Sequence, residues 1–292
     1  ITSLLLLIIL NVSGYRDAFA DDKKPKKSKV TKTTKVKKKN VNFSLILLSQ
    51  KLKELKRDES YYASIEIKSD VATRWLPIVT MIRDDKIDKQ SAIDSMFNFT
   101  NEVWDFLEAN IERNKIRKYS VDEWVFPVKG YTPSAIGGRN GSGYVIGNFD
   151  FFIQSSYGHP AHDIFINDRD QDCNDDFTNE PVEILSMSGG IVVETRKNWT
   201  TERMDIKGGN IVYVYDNFTN GLFYYAHLKE VYVSVGDFVE PGTELGILGR
   251  TGANAHPSRS PTHLHIMYVK CVDGDLVPEN IYNDLLNAKL TD

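Results

Sequence analysis

The sequence predicts an α+β protein: a helical region followed by an antiparallel β-sheet domain. Two observations predict this class. Apolar residues between 43 and 120 recur near helical spacing, whereas after Tyr119 short runs of Val, Ile, Tyr and Phe lie between glycines and turn residues. No helical stretch separates these short runs, which favours antiparallel pairing over parallel βαβ units. A chain with 41% hydrophobic and 26% charged residues is also neither collagen-like, coiled-coil nor wholly disordered.

Residues 1–20 are predicted to be a signal peptide. Their apolar run of about ten residues is half of what a bilayer span requires. Ala18-Phe19-Ala20 then places small residues at the spacing that a signal peptidase recognises. The alternative is a buried apolar strand. The first interpretation predicts an exported protein, periplasmic or extracellular, without a transmembrane helix in the mature chain.

Residues 21–42 are predicted to be a disordered, Lys-rich tether. The whole chain has a net charge of −4, but its first part is strongly basic. Residues 1–40 carry 11 Lys and Arg against three Asp. A run with this charge and no aromatic residue repels itself and cannot bury enough surface to fold. An anionic wall polymer or membrane surface would attract it, and a linker without any partner is the alternative. An exported protein gives no reason to expect nucleic acid.

Residues 43–120 are predicted to form a small helical region that packs on, or shields, the domain that follows. Apolar runs occur at 43–55 and at 75–82, the second with Pro77 inside it. The clearest helix is predicted over 89–115. Its apolar stripe consists of Ile93, Met96, Phe97, Val103, Trp104, Leu107 and Ile111. The region has no histidine or cysteine and therefore no metal-ligand spacing.

Residues 121–292 are predicted to be β-rich. The clearest strands are predicted at 163–166, 190–194, 210–215, 222–226 and 263–269, with a hairpin loop at 216–221 and a turn at Pro241-Gly242. All six histidines lie in this region. His263 and His265 share one face of a strand, because residues i and i+2 of a strand point to the same side. Two imidazoles and a nearby carboxylate could form a zinc site, although an H-x-H pair also arises by chance.

The order of the histidine motifs resembles one known family. His159-x-x-x-Asp163, Tyr225-Ala-His227-Leu and His263-Leu-His265 occur in turn, with a Gly-rich segment at 235–252 between the last two. This set is similar to the lysostaphin/LytM-type zinc peptidoglycan endopeptidases. The segment 126–130 (Phe-Pro-Val-Lys-Gly) resembles the lead into that family's core, so the resemblance covers roughly residues 121–280.

The resemblance implies a zinc hydrolase with an assigned set of site residues. It gives His159, Asp163 and His265 as the Zn²⁺ ligands, and His227 and His263 as the catalytic histidines. The implied substrate is a peptide bond in peptidoglycan stems or cross-links, either D-Ala–diaminopimelate links or Gly–Gly bridges. The alternative is a non-catalytic wall-binding module that activates other wall hydrolases. A helical scaffold whose β domain only targets the wall is a third possibility.

Several positions depart from the family pattern. Ala161 stands where Gly is usual between the ligands, and Met267 where an acidic residue often follows H-x-H. His162 lies beside the ligand motif, but strand alternation points it away from Asp163, which predicts a structural role. The loop 253–261 contains His256, to which the sequence assigns no role.

Two weaker signals involve oxygen ligands and cysteines. Asp168, Asp170 and Asp172 alternate like the start of a calcium loop, but position six is Cys173 rather than Gly. An exposed acidic loop is the alternative interpretation. Cys173 and Cys271 could pair in an oxidising compartment or remain free.

Overall fold

The computed structural model describes residues 70–110, 117–153 and 157–291. The predicted signal peptide, the Lys-rich tether and the apolar run at 43–55 lie outside these residues. The predicted boundaries of these segments therefore stay predictions.

The helical region begins with three helices in the described part of the chain. They are α1 (Asp70–Thr73), α2 (Trp75–Arg83) and α3 (Lys89–Asn110). Pro77 lies in the first turn of α2, where a backbone N–H has no intrahelical acceptor, so the proline does not break the helix. A short helix near the end of the chain, α4 (Tyr282–Asn287), was not predicted.

Helix α3 confirms the predicted helix but corrects its buried stripe. Asp88 precedes the helix and accepts hydrogen bonds from the backbone N and the hydroxyl of Ser91, which satisfies donors of the first turn. The buried residues are Ala92, Met96, Phe99, Thr100, Val103 and Leu107. The prediction for Phe97 was wrong, since its side chain is 42% exposed and Phe99 takes the buried position instead. Ile111 lies outside the described residues.

The described part of the β-rich region forms one sheet of nine strands. They are β1 (His162–Phe165), β2 (Glu183–Leu185), β3 (Gly190–Arg196), β4 (Asn210–Asp216), β5 (Gly221–Val231), β6 (Phe238–Val239), β7 (Glu244–Leu248), β8 (His263–Val272) and β9 (Asp275–Glu279). Every pairing between them is antiparallel. The α+β class and the predicted strands are thereby confirmed.

The sheet order is β1-β8-β5-β4-β3-β6, with β7 against β2 and β5, and β9 against β8. Strand β8 therefore pairs with β1 and β9 on one side and β5 on the other. Its first half is the only part that lies between β1 and β5. This half contains the H-x-H pair, so β1 and β5 flank that motif.

The two faces of the sheet bury different partners. One face packs Phe223, Tyr225 and Ile266 against Trp124 and Phe126 of the segment that leads into the sheet. The opposite face carries the H-x-H histidines. Farther along the strands it is covered by the helices, through Trp75, Met96 and Phe99 among others. Because helices and sheet share this second core, the helical region packs on the face that holds the candidate site.

Over the residues that the structure describes, no helix combines the length and the apolarity needed to cross a bilayer.

Candidate metal centre

The pairing of β1 with β8 brings the first two candidate ligands together. Asp163 and His265 are direct cross-strand partners in this antiparallel pair. Partners of this kind have Cβ atoms about 4.5–5.5 Å apart and share one face of the sheet. The His265 Nδ1 lies 3.0 Å from the Asp163 Oδ1. Strand register alone therefore places a histidine and a carboxylate side by side.

His159 completes a three-residue cluster from the segment just before β1. Its backbone exchanges hydrogen bonds with Val145, which holds the segment against an upstream loop. The His159 Nε2 lies 3.2 Å from the Asp163 Oδ1 and 3.2 Å from the His265 Nδ1. Ligand atoms about 2.0–2.1 Å from a tetrahedral zinc ion are roughly 3.3–3.4 Å apart, so these separations suit such an ion.

The number of protons available for hydrogen bonds within the cluster also suits a cation. The His159 Nδ1 donates to the Gly143 carbonyl at 2.8 Å, which leaves a lone pair on its Nε2 in the neutral ring. That lone pair faces a carboxylate oxygen and a second imidazole nitrogen. At most one proton, on the His265 Nδ1, is then available to three mutually close acceptors. A positive charge shared among them removes the conflict, which is why the residues fit a metal ion.

The acidity of the free side chains points the same way. Burial would raise the pKa of Asp163, but the neighbouring His159 and His265 rings outweigh it and hold the pKa far below its ordinary value. The hydrogen bond to Asp163 raises the pKa of His159. The cluster thus favours an added positive charge, whether a proton or a metal cation. Side chains that are 36%, 24% and 19% exposed leave it open to a substrate.

His227 reaches the cluster through an irregularity in β5. Ala226 and Leu228 pair with consecutive residues of β4, so His227 is an extra residue in the strand. It adopts a φ of 71°, the left-handed conformation that a non-glycine residue rarely takes. Its ring lies 4.9 Å from that of His263 and 5.9 Å from that of His265, centroid to centroid. The strand continues to Val231, beyond the predicted range of 222–226.

The two remaining histidines of the site have fixed tautomers. The His227 Nδ1 donates to the Thr251 carbonyl and the His263 Nδ1 to the Pro261 carbonyl, each at 2.8 Å. Both Nε2 atoms therefore carry lone pairs. The His263 Nε2 lies 3.7 Å from the Asp163 Oδ1, next to the cluster. Burial lowers the pKa of His227 to about 3 and also lowers that of His263, so both rings are neutral at pH 7.

The carbonyl that holds His227 belongs to a tightly packed turn. Gly252 has a φ of 91°, and a Cβ there would lie 2.3 Å from the Lys207 carbonyl oxygen. The close approach of these two loops requires glycine. It places the Thr251 carbonyl within hydrogen-bond distance of the His227 Nδ1.

Residues 175–276 match the sequence profile of peptidase family M23. This part of the β-rich region is therefore similar to the M23 peptidases, in agreement with the resemblance to the lysostaphin/LytM-type family. The matched range includes His227, His263 and His265 but begins after His159 and Asp163. The fold brings those two residues next to His265.

Three solved structures are similar to parts of this chain. The LytM protein of Ruminococcus gnavus is 20% identical, with 74% of this chain and 82% of that chain covered and a TM-score of 0.39. The catalytic domain of lysostaphin from Staphylococcus simulans is 23% identical, with 51% and 90% covered and a TM-score of 0.34. Csd3 of Helicobacter pylori is 22% identical, with 54% and 33% covered and a TM-score of 0.32. A search of curated proteins gave no match.

Two histidines of the β-rich region lie apart from the cluster. His162 is fully buried on the opposite side of β1, and its Nε2 is 2.9 Å from the Asn280 Oδ1. It lies between the rings of Tyr144 and Tyr282, as its predicted structural role requires. His256 is exposed beside Trp199, with ring centroids 5.4 Å apart.

The acidic loop that follows β1 places Asp168, Asp170 and Asp176 together, with Asp172 nearby. Asp168 is 6% exposed, and its oxygens accept hydrogen bonds from the backbone N of Asp172 and Cys173 and from the Thr262 hydroxyl. The carboxylate is therefore used to cap the loop. Cys173 and Cys271 are both free, so the pairing considered for them is not present.

Sequence reasoning missed the residues that hold the loop before H-x-H. Arg250 is only 8% exposed. Its guanidinium donates to the Ser260 carbonyl at 2.7 Å, the Thr262 hydroxyl at 3.0 Å and the Pro257 carbonyl at 3.1 Å. These bonds fix loop 253–261 at the edge of the site. A single arginine in a Gly-rich segment gives no signal for such a role, because its acceptors are mainly backbone carbonyls.

Proposed function

We propose that this chain is an exported zinc endopeptidase that hydrolyses peptide bonds in peptidoglycan stems or cross-links. The observation that carries the proposal is the cluster of His159, Asp163 and His265. Its three ligand atoms, two imidazole nitrogens and a carboxylate oxygen, lie 3.0–3.2 Å apart. Three protein ligands with an open fourth position form the arrangement of catalytic rather than structural zinc sites.

Zinc held by these residues would supply Lewis-acid polarisation of the scissile carbonyl and a water of lowered pKa. The chain's own groups supply the proton transfers. His227 and His263 each present a neutral Nε2 towards the cluster, because their Nδ1–H groups are engaged by carbonyls. Either can accept a proton from the attacking water and, once protonated, donate to the developing oxyanion or the leaving amine. The division of these steps between the two histidines stays open.

The fold supports an exposed peptide substrate. The ligands lie on the sheet face that also carries His263, and their side chains remain partly exposed. An extended peptide can therefore pass over the ligands. Export rests on the predicted signal peptide, and the proposed attraction of the Lys-rich tether to an anionic wall or membrane surface rests on its charge.

Purified full chain should contain about one zinc per molecule and release new amino groups from purified sacculi. A chelator should stop the release, and added zinc should restore it. His265→Ala should lose both zinc and hydrolysis. His227→Ala should keep zinc and lose roughly 100- to 10,000-fold in rate, the range for a general acid–base group.

The matched control is His256→Ala, which removes an exposed histidine of the same domain and should change neither readout. Stoichiometric zinc in His265→Ala would make the ligand assignment wrong. Sacculus binding that survives chelation, with no new amino termini, would instead establish the non-catalytic wall-binding module.

A further inference from the structure

A cavity of about 200 Å³ lies between helix α2 and the sheet, beside the candidate metal centre. Helix α2 lines it with Leu76, Val79, Ile82 and Arg83, and the sheet lines it with charged and aromatic residues of β3, β4 and β5. The matched family profile begins at residue 175, so this helix is outside it. The cavity is a property of this chain's own combination of helical region and sheet.

Tyr224 connects the cavity to the metal centre. It lines the cavity, and its ring packs edge-on against that of His265, with centroids 5.9 Å apart. Tyr224 and Ala226 share one face of β5, and Ala226 is the cross-strand partner of His265. Successive residues of an extended peptide advance about 3.3 Å. Across the sheet, Arg196 pairs with Ile211, Ile211 with Ala226 and Ala226 with His265. Three strand spacings of about 4.8 Å put Arg196 about 14 Å from His265, which a long substrate side chain and the Arg196 side chain can span together.

The polar groups of the cavity differ in how fully they are hydrogen-bonded within the protein. Glu194 has a side chain that is 7% exposed, and its Oε2 accepts a 2.7 Å hydrogen bond from the Trp75 Nε1. Arg196 makes two long contacts, both 3.4 Å, to the Glu194 Oε1 and the Gly209 carbonyl. A guanidinium has five N–H donors, so several of those of Arg196 remain for a ligand. Its side chain is 33% exposed, which keeps it accessible.

The charge balance of the cavity is positive. Two guanidinium groups, those of Arg196 and Arg83, face a single carboxylate, that of Glu194. Arg83 is 60% exposed and also contacts Asp84 outside the cavity, so Arg196 is the main cation within it. The Trp75 indole occupies one oxygen of Glu194, and the other orients Arg196. The arrangement suits a carboxylate, which accepts two parallel hydrogen bonds from a guanidinium.

Two further features suit an aliphatic acid. The rings of Tyr213 and Tyr224 pack at a tilt with centroids 4.6 Å apart, and no hydrogen bond among the described residues occupies either hydroxyl. Val79, Ile82 and Ile211 supply an apolar wall. At about 30 Å³ per water, the cavity equals roughly seven water molecules, the scale of one side chain rather than of a sugar chain.

Building on the proposed function, we propose that this cavity is a subsite for a carboxylate-bearing residue next to the cleaved bond. Arg196 binds the carboxylate, Glu194 holds Arg196 in place, and helix α2 closes the apolar wall. A diaminopimelate residue in a stem peptide carries such a free carboxylate on an aliphatic chain. A glycine bridge has no side chain to enter the cavity. The helical region thus helps to select the substrate.

The test compares two cross-linked muropeptides that differ only in the diaminopimelate carboxyl, free in one and amidated in the other. Full-length, zinc-loaded protein should cleave the free acid about 10- to 100-fold better in kcat/KM, the range for a charge-assisted hydrogen bond. Arg196→Gln should reduce this ratio to less than about 3-fold, mainly by raising KM for the acid. Arg196→Lys should keep part of the preference, because it keeps the charge.

Lys270→Gln is the charge-matched control, since Lys270 lies on β8 but on the opposite face, paired with Glu279. It should leave the ratio unchanged. Equal cleavage of both peptides by the wild type, or an unchanged ratio in Arg196→Gln, would overturn the subsite and leave the proposed function standing. Failure of the proposed function is tested separately, by equilibrium binding of two stem tripeptides that are not cleaved. One carries the free diaminopimelate carboxyl and the other the amidated one. A binding preference that depends on Arg196, without any hydrolysis, would support the subsite and contradict the proposed peptidase.

Discussion

Two clusters in this protein bring three potential metal ligands within reach of one another, and they differ in what already occupies the ligand atoms. His159, Asp163 and His265 form the first, and the acidic cluster of Asp168, Asp170 and Asp176 forms the second. The acidic cluster follows β1 in the chain, whereas the histidine cluster combines the segment around β1 with His265 of β8. By distance between ligand atoms alone, either cluster could hold an ion.

Hydrogen-bond donors separate the two. In the acidic cluster, Asp168 accepts from two backbone N–H groups and the Thr262 hydroxyl, and Asp176 accepts from the backbone N of Arg169. These carboxylates cap their own loop. In the histidine cluster, the carbonyl of Gly143 fixes the His159 tautomer so that a lone pair faces the other ligands. Spacing is therefore informative only together with the donors that surround each atom.

The largest expected difference between the clusters is in zinc affinity. Asp163→Ala should weaken zinc binding by more than about 100-fold, because even residues that only support metal ligands contribute 10- to 100-fold. Asp170→Ala is the matched control, an exposed carboxylate removed from the acidic cluster, and should leave zinc affinity unchanged. Isothermal titration with Zn²⁺ measures both. Saturable Ca²⁺ binding that Asp170→Ala abolishes would show that the acidic cluster is also a metal site.

The next effect should fall on stability rather than on metal. Asp168→Ala should lower the free energy of unfolding by about 2–4 kcal/mol, because it strips acceptors from two backbone N–H groups and a buried hydroxyl. Urea unfolding of the metal-free protein measures the change. Asp170→Ala should stay within about 0.5 kcal/mol, since an exposed position away from such contacts contributes little. Equal losses in the two variants would contradict the capping role of Asp168.

The contrast also explains how far the sequence could predict the molecule. Strands were found where β-branched and aromatic runs lie between turn residues, and the H-x-H spacing placed His263 and His265 on one face. The site around them depends on contacts that the spacing does not encode. The bulge at His227 and the carbonyls of Gly143, Thr251 and Pro261 involve backbone atoms, which every residue possesses.

The helices show the same limit in another form. Periodicity found α3, but the sheet decides which of its apolar residues are buried. Phe97 and Phe99 are equally apolar, and only the packing against Trp75 and the strands selects Phe99. The charged cavity beside the metal centre is likewise invisible in the sequence, because Arg83 and Arg196 meet only after the helix has packed on the sheet.

Asp216 is a buried carboxylate outside both clusters, and its pKa predicts a stability that depends on pH. It is fully buried and caps the β4–β5 hairpin, accepting from the Phe218 backbone N and the Thr219 hydroxyl at 2.8 Å each. Burial raises its pKa to about 6 from an ordinary value of 3.8. The folded state therefore holds this proton more tightly than the unfolded state. Its contribution to stability is present below about pH 4 and is lost as the pH rises to about 6.

Asp216→Asn should therefore raise the free energy of unfolding at pH 7 by about 1–3 kcal/mol, since one pKa unit corresponds to about 1.4 kcal/mol. The amide can accept from the Phe218 N and donate to the Thr219 oxygen, so the cap is kept. Urea unfolding at pH 4 and pH 7 measures it, and the variant should equal the wild type at pH 4. A loss of stability at both pH values would mean that the charged carboxylate itself holds the hairpin.

The smallest effect should come from the histidine next to the metal ligands. His162→Phe should leave zinc content unchanged and stability within about 1 kcal/mol, because the ring lies on the opposite side of β1 from Asp163. The phenyl ring can keep the packing between Tyr144 and Tyr282. It also removes a buried Nδ1 that has no hydrogen-bond partner.

The partner that His162 leaves behind is not orphaned. The Asn280 Oδ1 also accepts a 3.0 Å hydrogen bond from the Tyr282 backbone N, so the loss of the His162 Nε2 does not strip it of donors. Metal analysis and urea unfolding check both halves of the prediction. Loss of zinc in His162→Phe, with the fold intact by circular dichroism, would show that His162 contributes to the metal centre. The two sides of β1 would then not have separate roles.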